Sequence, residues 1–126
     1  MQDSYVLKKL DIYNISRDLS RLAWENYLNL ELDQKIMVGQ QFIRATDSVG
    51  ANIAEGYGRY HYLDKIKFYY NSRASLLEAA HWLDVINERG LIEDEKYKIF
   101  NEKILLLHKK INSFIKFNIE RKCSAK

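Results

Sequence analysis

Glu78-Ala79-Ala80-His81 is the stretch with the most specific chemical possibility in this 126-residue chain. Four-helix bundles hold paired iron with two Glu-x-x-His units and a further glutamate from each of the other two helices. Of the three histidines, neither His61 nor His108 has a glutamate three residues before it. One chain therefore cannot complete such a centre, and His81 reads as a surface or interface residue. The single cysteine, Cys123, has no positioned base near it in the sequence and so no means of becoming an activated thiolate. Gly56-Tyr57-Gly58 follows no strand and lacks the glycine spacing of a phosphate loop. The residues thus argue against an enzyme, and no metal, cofactor or small-molecule substrate is expected.

Two other groupings point to binding. Wound at 100° per residue, Gln41, Arg44, Ser48, Asn52 and Glu55 fall within roughly an 80° arc of one helix. Gly39, Phe42, Ile43, Thr46, Val49, Gly50, Ile53 and Tyr57 lie on the other side. An ordered row of amide, guanidinium, hydroxyl, amide and carboxylate suits a shared polar contact, between helices or between subunits; an ordinary wet face is the competing reading. The second grouping is Tyr57, Tyr60, Tyr62, Tyr69 and Tyr70, five of the nine tyrosines, interleaved with Arg59, Lys65 and Lys67. Exposed rings stack bases while neighbouring cations meet phosphates. The same rings also serve as core or subunit contacts, where tyrosine is enriched.

The pattern Gln41-x-x-Arg44-Ala45-x-x-Ser48-x-x-x-Asn52-Ile53-Ala54-Glu55-Gly56, followed by Arg59 and by Ser75-Leu76-x-Glu78, resembles the bacterial proteins first noticed as products of intervening sequences in 23S ribosomal RNA genes. The likeness is firm from Gln41 to about Ile92, looser in the first and last helices, and absent at the ends. It implies a small cytoplasmic four-helix bundle that assembles as a ring-like pentamer. A distant relative of that family, the accessory protein of diversity-generating retroelements, binds nucleic acid as a pentamer. The resemblance also places Glu78 with the polar row. His61 stands where the family has serine or threonine ahead of the third helix, which weakens that cap or makes it pH-sensitive.

The elements that must position these residues are helical throughout. There is no proline and only five glycines interrupt the chain. Residues 1–10 show no period and read as a loose lead. Ile12, Ile15, Leu19, Leu22, Ala23, Tyr27 and Leu30 define a first helix capped by Asp11. A second starts near Asp33 and ends at Gly56, with Gly56 and Gly58 expected in left-handed conformations. Gly39 and Gly50 are eleven residues apart, three turns, and mark where bulky side chains of another helix press on the backbone. The third spans roughly Tyr62 to Arg89 and stops at Gly90. The fourth opens on Glu93-Asp94-Glu95, acids suited to the positive end of its dipole. It carries Tyr97, Phe100, Ile104, Leu107, Ile111 and Phe114, and fades after about Asn118 into a basic tail over 119–126. The expected fold is all-α, an antiparallel up-down-up-down four-helix bundle over 11–118, roughly 30–40 Å long.

The net charge of +3 is uneven. Residues 109–126 hold Lys109, Lys110, Lys116, Arg121, Lys122 and Lys126 against Glu120 alone, so this segment is +5 and the rest of the chain is −2. Attraction for phosphate should concentrate there. The phosphate candidates are therefore Arg59, Lys65, Lys67, Lys109, Lys110 and Lys116. With no signal-peptide core, no membrane-length apolar window and one cysteine, the expected compartment is the cytoplasm. The expectation is a non-enzymatic homo-oligomer binding RNA or a nucleic-acid-processing partner; the alternative is a protein-interaction scaffold without nucleic-acid affinity.

Overall fold

A computed structural model describes residues 6–124, with side chains through Arg121. Four long helices account for nearly all of this span. They are α1 (Asp11–Leu28), α2, α3 (Tyr62–Glu88) and α4 (Asp94–Ser124). Helix α2 begins at Leu32–Gln34, widens into a π-helical segment at Lys35–Gly39 and continues as Gln40–Gly58. Consecutive helices pack side by side and α4 returns to α1, so the section is a square with α2 diagonal to α4. The all-α bundle expected from the spacing of apolar residues is what forms.

The core is the inner stripe of each helix: Leu19 and Ala23, Phe42, Val49 and Ile53, Leu76, Leu83 and Ile86, and Phe100, Leu107 and Ile111. Three buried hydroxyls are reconciled with it by bonding to backbone. Ser16 Oγ donates to the Tyr13 carbonyl at 2.6 Å, Thr46 Oγ1 to Phe42 at 2.8 Å, and Ser72 Oγ crosses from α3 to the Val49 carbonyl of α2 at 2.8 Å. That last bond fixes the antiparallel register of α2 against α3.

Glycines let α2 approach its neighbours. A Cβ on Gly39 would stand 2.9 Å from the Tyr27 ring, and one on Gly50 would stand 2.8 Å from Ser16 Oγ. Both face α1, as expected of residues three turns apart. Gly56 corrects the sequence reading: it does not end the helix, and neither it nor Gly58 has positive φ. Its missing side chain admits α3, since a Cβ there would meet Tyr69 Cε1 at 2.7 Å and Phe68 Cβ at 3.0 Å. The left-handed glycine is Gly90, at φ 70°, where the Leu91 amide donates back to the Ile86 carbonyl at 3.0 Å and closes α3.

Helix ends differ from expectation elsewhere. Asp11 is the first helical residue rather than the cap, and its carboxylate takes Lys110 Nζ at 2.7 Å. Asp33 lies just inside α2 and accepts the Gln34 amide at 3.0 Å. Helix α4 does not fade near Asn118 but runs on to Ser124. Glu, Arg and Lys in its last turns are good helix formers, so the basic segment is helical. The expected loose lead over 1–10 is in part a turn of helix at Val6 and Leu7, and Leu10 packs on the core. Met1 to Tyr5 and the side chains of Lys122, Cys123 and Lys126 lie outside the described residues.

Candidate nucleic-acid interface

The polar row sits on the outer flank where α2 meets α3, not between helices inside the bundle. Gln41, Arg44 and Glu55 are exposed, and Ser48 and Asn52 are half-buried. Asn52 Nδ2 donates to the Ser48 carbonyl at 2.8 Å, and Glu55 pairs with Arg59 at 2.9 Å, one turn on. Arg44 makes no ion pair among the described residues. Among the described residues, the hydrogen-bond and ion-pair partners of the row's α2 members lie on α2 or just beyond its end. Glu78, exposed on α3, accepts a bond from Trp82 Nε1 at 3.2 Å. The register set by Ser72 with Val49, and by Tyr69 and Phe68 with Gly56, brings Glu78 level with Arg44.

The six phosphate candidates divide. Lys65 Nζ donates to the Tyr57 carbonyl at 2.8 Å and reaches that of Gly56 at 3.4 Å, so it caps the C-terminus of α2. Burial there lowers its pKa from the ordinary lysine value. Arg59 is held by Glu55 and lies over the Phe68 ring, 4.8 Å from its centroid. Lys110 is held by Asp11. Those three are engaged in the fold. Lys67, Lys109 and Lys116 are exposed and make no ion pair among the described residues.

Lys67 lies on α3, on the stripe that Glu78 occupies three turns later, and Lys109 and Lys116 lie on α4. Arg73 donates to Asn112 Oδ1 at 2.9 Å, and the Tyr69 and Phe114 rings meet edge to face at 4.9 Å. This register sets Lys67 near the level of Lys116 and Ala74 near that of Lys109. Between them Tyr70, 40% exposed, has the Arg73 guanidinium over its ring at 4.9 Å. Arg73 was not among the sequence candidates; its signal was the i,i+3 spacing from an exposed tyrosine. The tyrosine cluster itself splits. Tyr69 is buried, its phenol pushed up to about 12 by burial and, secondarily, by Tyr57, whereas Tyr60 is 92% exposed beside Arg59. The arrangement puts exposed cations near one half-exposed ring, Tyr70, a pairing that sequence-tolerant binding to single-stranded nucleic acid uses.

Among the described residues no three of His, Cys, Asp and Glu converge on a possible metal position. His81 lies edge-on to the Trp82 ring, 4.9 Å between centroids. No helix among the described residues is long and apolar enough to cross a membrane. A second surface feature, which sequence spacing did not isolate, is a groove of about 580 Å³ between the outer flanks of α1 and α2, floored by Ile43, Gly50, Ala51 and Ala54.

Comparison with known proteins matches residues 8–113 to the profile of the 23S rRNA-intervening sequence proteins. Among solved structures, the chain is similar to a protein of unknown function from the S23 ribosomal protein family of Bacteroides thetaiotaomicron VPI-5482. The two are 24% identical, with a TM-score of 0.77 over 92% of this chain and 99% of that one, a likeness of fold. No protein of curated function matches the sequence.

Proposed function

The chain belongs to the 23S rRNA-intervening sequence protein family, and from that premise we propose that it is a non-enzymatic, self-associating four-helix bundle of the cytoplasm that binds RNA. The observation that carries this reading is the set of exposed lysines Lys67, Lys109 and Lys116, which make no ion pair among the described residues and lie at levels of α3 and α4 on either side of the Tyr70–Arg73 stack. One such patch is modest. Repeated in every copy of an oligomer, a pentamer by resemblance, it gains avidity without any new contact. The polar row of α2 is the contact between copies: Arg44 and Glu78 are exposed at the same level of adjacent helices and form no ion pair with each other.

The test is titration of a structured RNA against the protein and against a Lys67→Ala, Lys109→Ala, Lys116→Ala variant. Loss of three phosphate contacts should weaken binding and lower the slope of log K against log salt by about 2–3. Equal binding by both proteins would remove these lysines from the account. The second reading, a protein-interaction scaffold, is favoured by the exposed apolar residues on α1 and α2. It predicts no RNA affinity at either low or physiological salt.

A further inference from the structure

We infer that the α1/α2 groove is the socket for the polar row of the next copy, giving a head-to-tail contact with α2 between its two halves. The inference rests on the reading of that row as a contact between copies, and it names the surface that receives it.

The groove has an apolar floor and charged walls. Arg17 and Arg21 rise from α1, and Glu25 and Asp47 stand beside them. At one end the apolar surface continues through Trp24, 51% exposed, to Leu28 and Ile36, 55% and 58% exposed. A contiguous patch of that kind marks an interaction site. The row on the other flank of α2 has the matching order. Met37, 72% exposed, comes first, then Arg44 with Glu78 level with it on α3, then Glu55.

Register shows that the match is level for level. Tyr27 against Gly39 and Ser16 against Gly50 set Arg21 at the height of Arg44, with Glu25 below it and Asp47 above. The Ser72–Val49 bond puts Glu78 at that same height. Rotation about an axis parallel to the bundle leaves every height unchanged. The Glu78 of one copy then meets the Arg21 of the next, Arg44 meets Glu25 and Asp47, and Met37 meets Leu28 and Ile36. Arg21 is already paired with Asp18 on its own helix, an exposed pair that is easily exchanged.

The two surfaces are different, so the contact is heterologous and builds a ring or a filament rather than a two-fold dimer. They occupy adjacent sides of a square bundle, about 90° apart, which closes a ring at about four to six copies. In that ring α2 faces the axis and α4 faces outward. Lys109 and Lys116, on the outward-facing α4, stay accessible.

The experiment measures mass by light scattering on the full chain. The wild-type protein should be an oligomer. Ala51→Trp, which fills the groove at an exposed position, should be monomeric at 15.0 kDa, and Arg44→Ala with Glu78→Ala should be monomeric too. Mixed together, these two variants retain one good socket and one good row, and should form complexes of two chains that grow no further. The exchange Arg21→Glu weakens assembly, and adding Glu78→Arg to the same chain restores it. The two residues lie on different flanks of one copy, so rescue requires contact between copies. A folded Ala51→Trp protein that keeps the wild-type mass, or a mixture that stays monomeric, overturns the socket while Arg44→Ala can still show the row to be an interface. A monomeric wild-type protein overturns both.

Discussion

Phe42→Ala is expected to lower the unfolding free energy of the bundle by about 3–5 kcal/mol. Phe42 is 1% exposed and its ring packs at 5.1 Å on Phe100, itself 1% exposed, so truncation leaves a cavity at the centre of the α2–α4 diagonal. Against a total stability of about 5–15 kcal/mol that is a large fraction. Two residues on, Arg44→Ala should change the same quantity by less than about 0.5 kcal/mol in a solution dilute enough to hold single chains, because Arg44 makes no ion pair among the described residues of its own copy. Urea midpoints measure both. A cost below about 1 kcal/mol for Phe42→Ala would mean that α2 is not seated on α4 as described.

Assembly should respond in the opposite order. Arg44→Ala with Glu55→Ala is expected to shift the protein from an oligomer toward the 15.0 kDa of one chain. Removing one member of a desolvated charge pair leaves the other buried and alone, at a cost of about 3–5 kcal/mol. That weakens the contact by more than a hundredfold, since each 1.4 kcal/mol is a factor of about ten. Glu55 has the Arg59 guanidinium beside it, and both side chains are about half exposed, so this local pair supplies little stability of its own. Light scattering on the variant, alongside its melting temperature, checks the expectation. Unchanged mass and melting temperature would return the row to the solvent.

These two variants show what could be read from residues alone. The division of α2 into an apolar and a polar side followed from spacing, and so did the inner stripe of α4 through Phe100, Ile104, Leu107 and Ile111. Gly56 was legible only as a glycine. A Gly-x-Gly before a turn looks the same whether it ends a helix or admits another, and the Tyr69 ring that decides the matter is thirteen residues away. Lys65 was misleading for a related reason. A lysine among tyrosines suggests phosphate, but the turn between α2 and α3 folds it back onto the carbonyls of Gly56 and Tyr57. The π-helical segment at Lys35–Gly39 has no sequence signal that periodicity detects. The extension of α4 to Ser124 was hidden by its polarity, although its residues favour helix. The groove, finally, depends on which small residues of α2 line up with α1, a property of packing rather than of period.

The most direct measurement is the affinity of the wild-type protein for a structured RNA at low and at physiological salt. Binding is expected at low salt and should weaken steeply as salt rises, with log K falling linearly in log salt by about 0.7–0.9 for each phosphate neutralised. Absence of binding at both salts, or binding indifferent to salt, would contradict this expectation and leave the bundle a scaffold for protein partners.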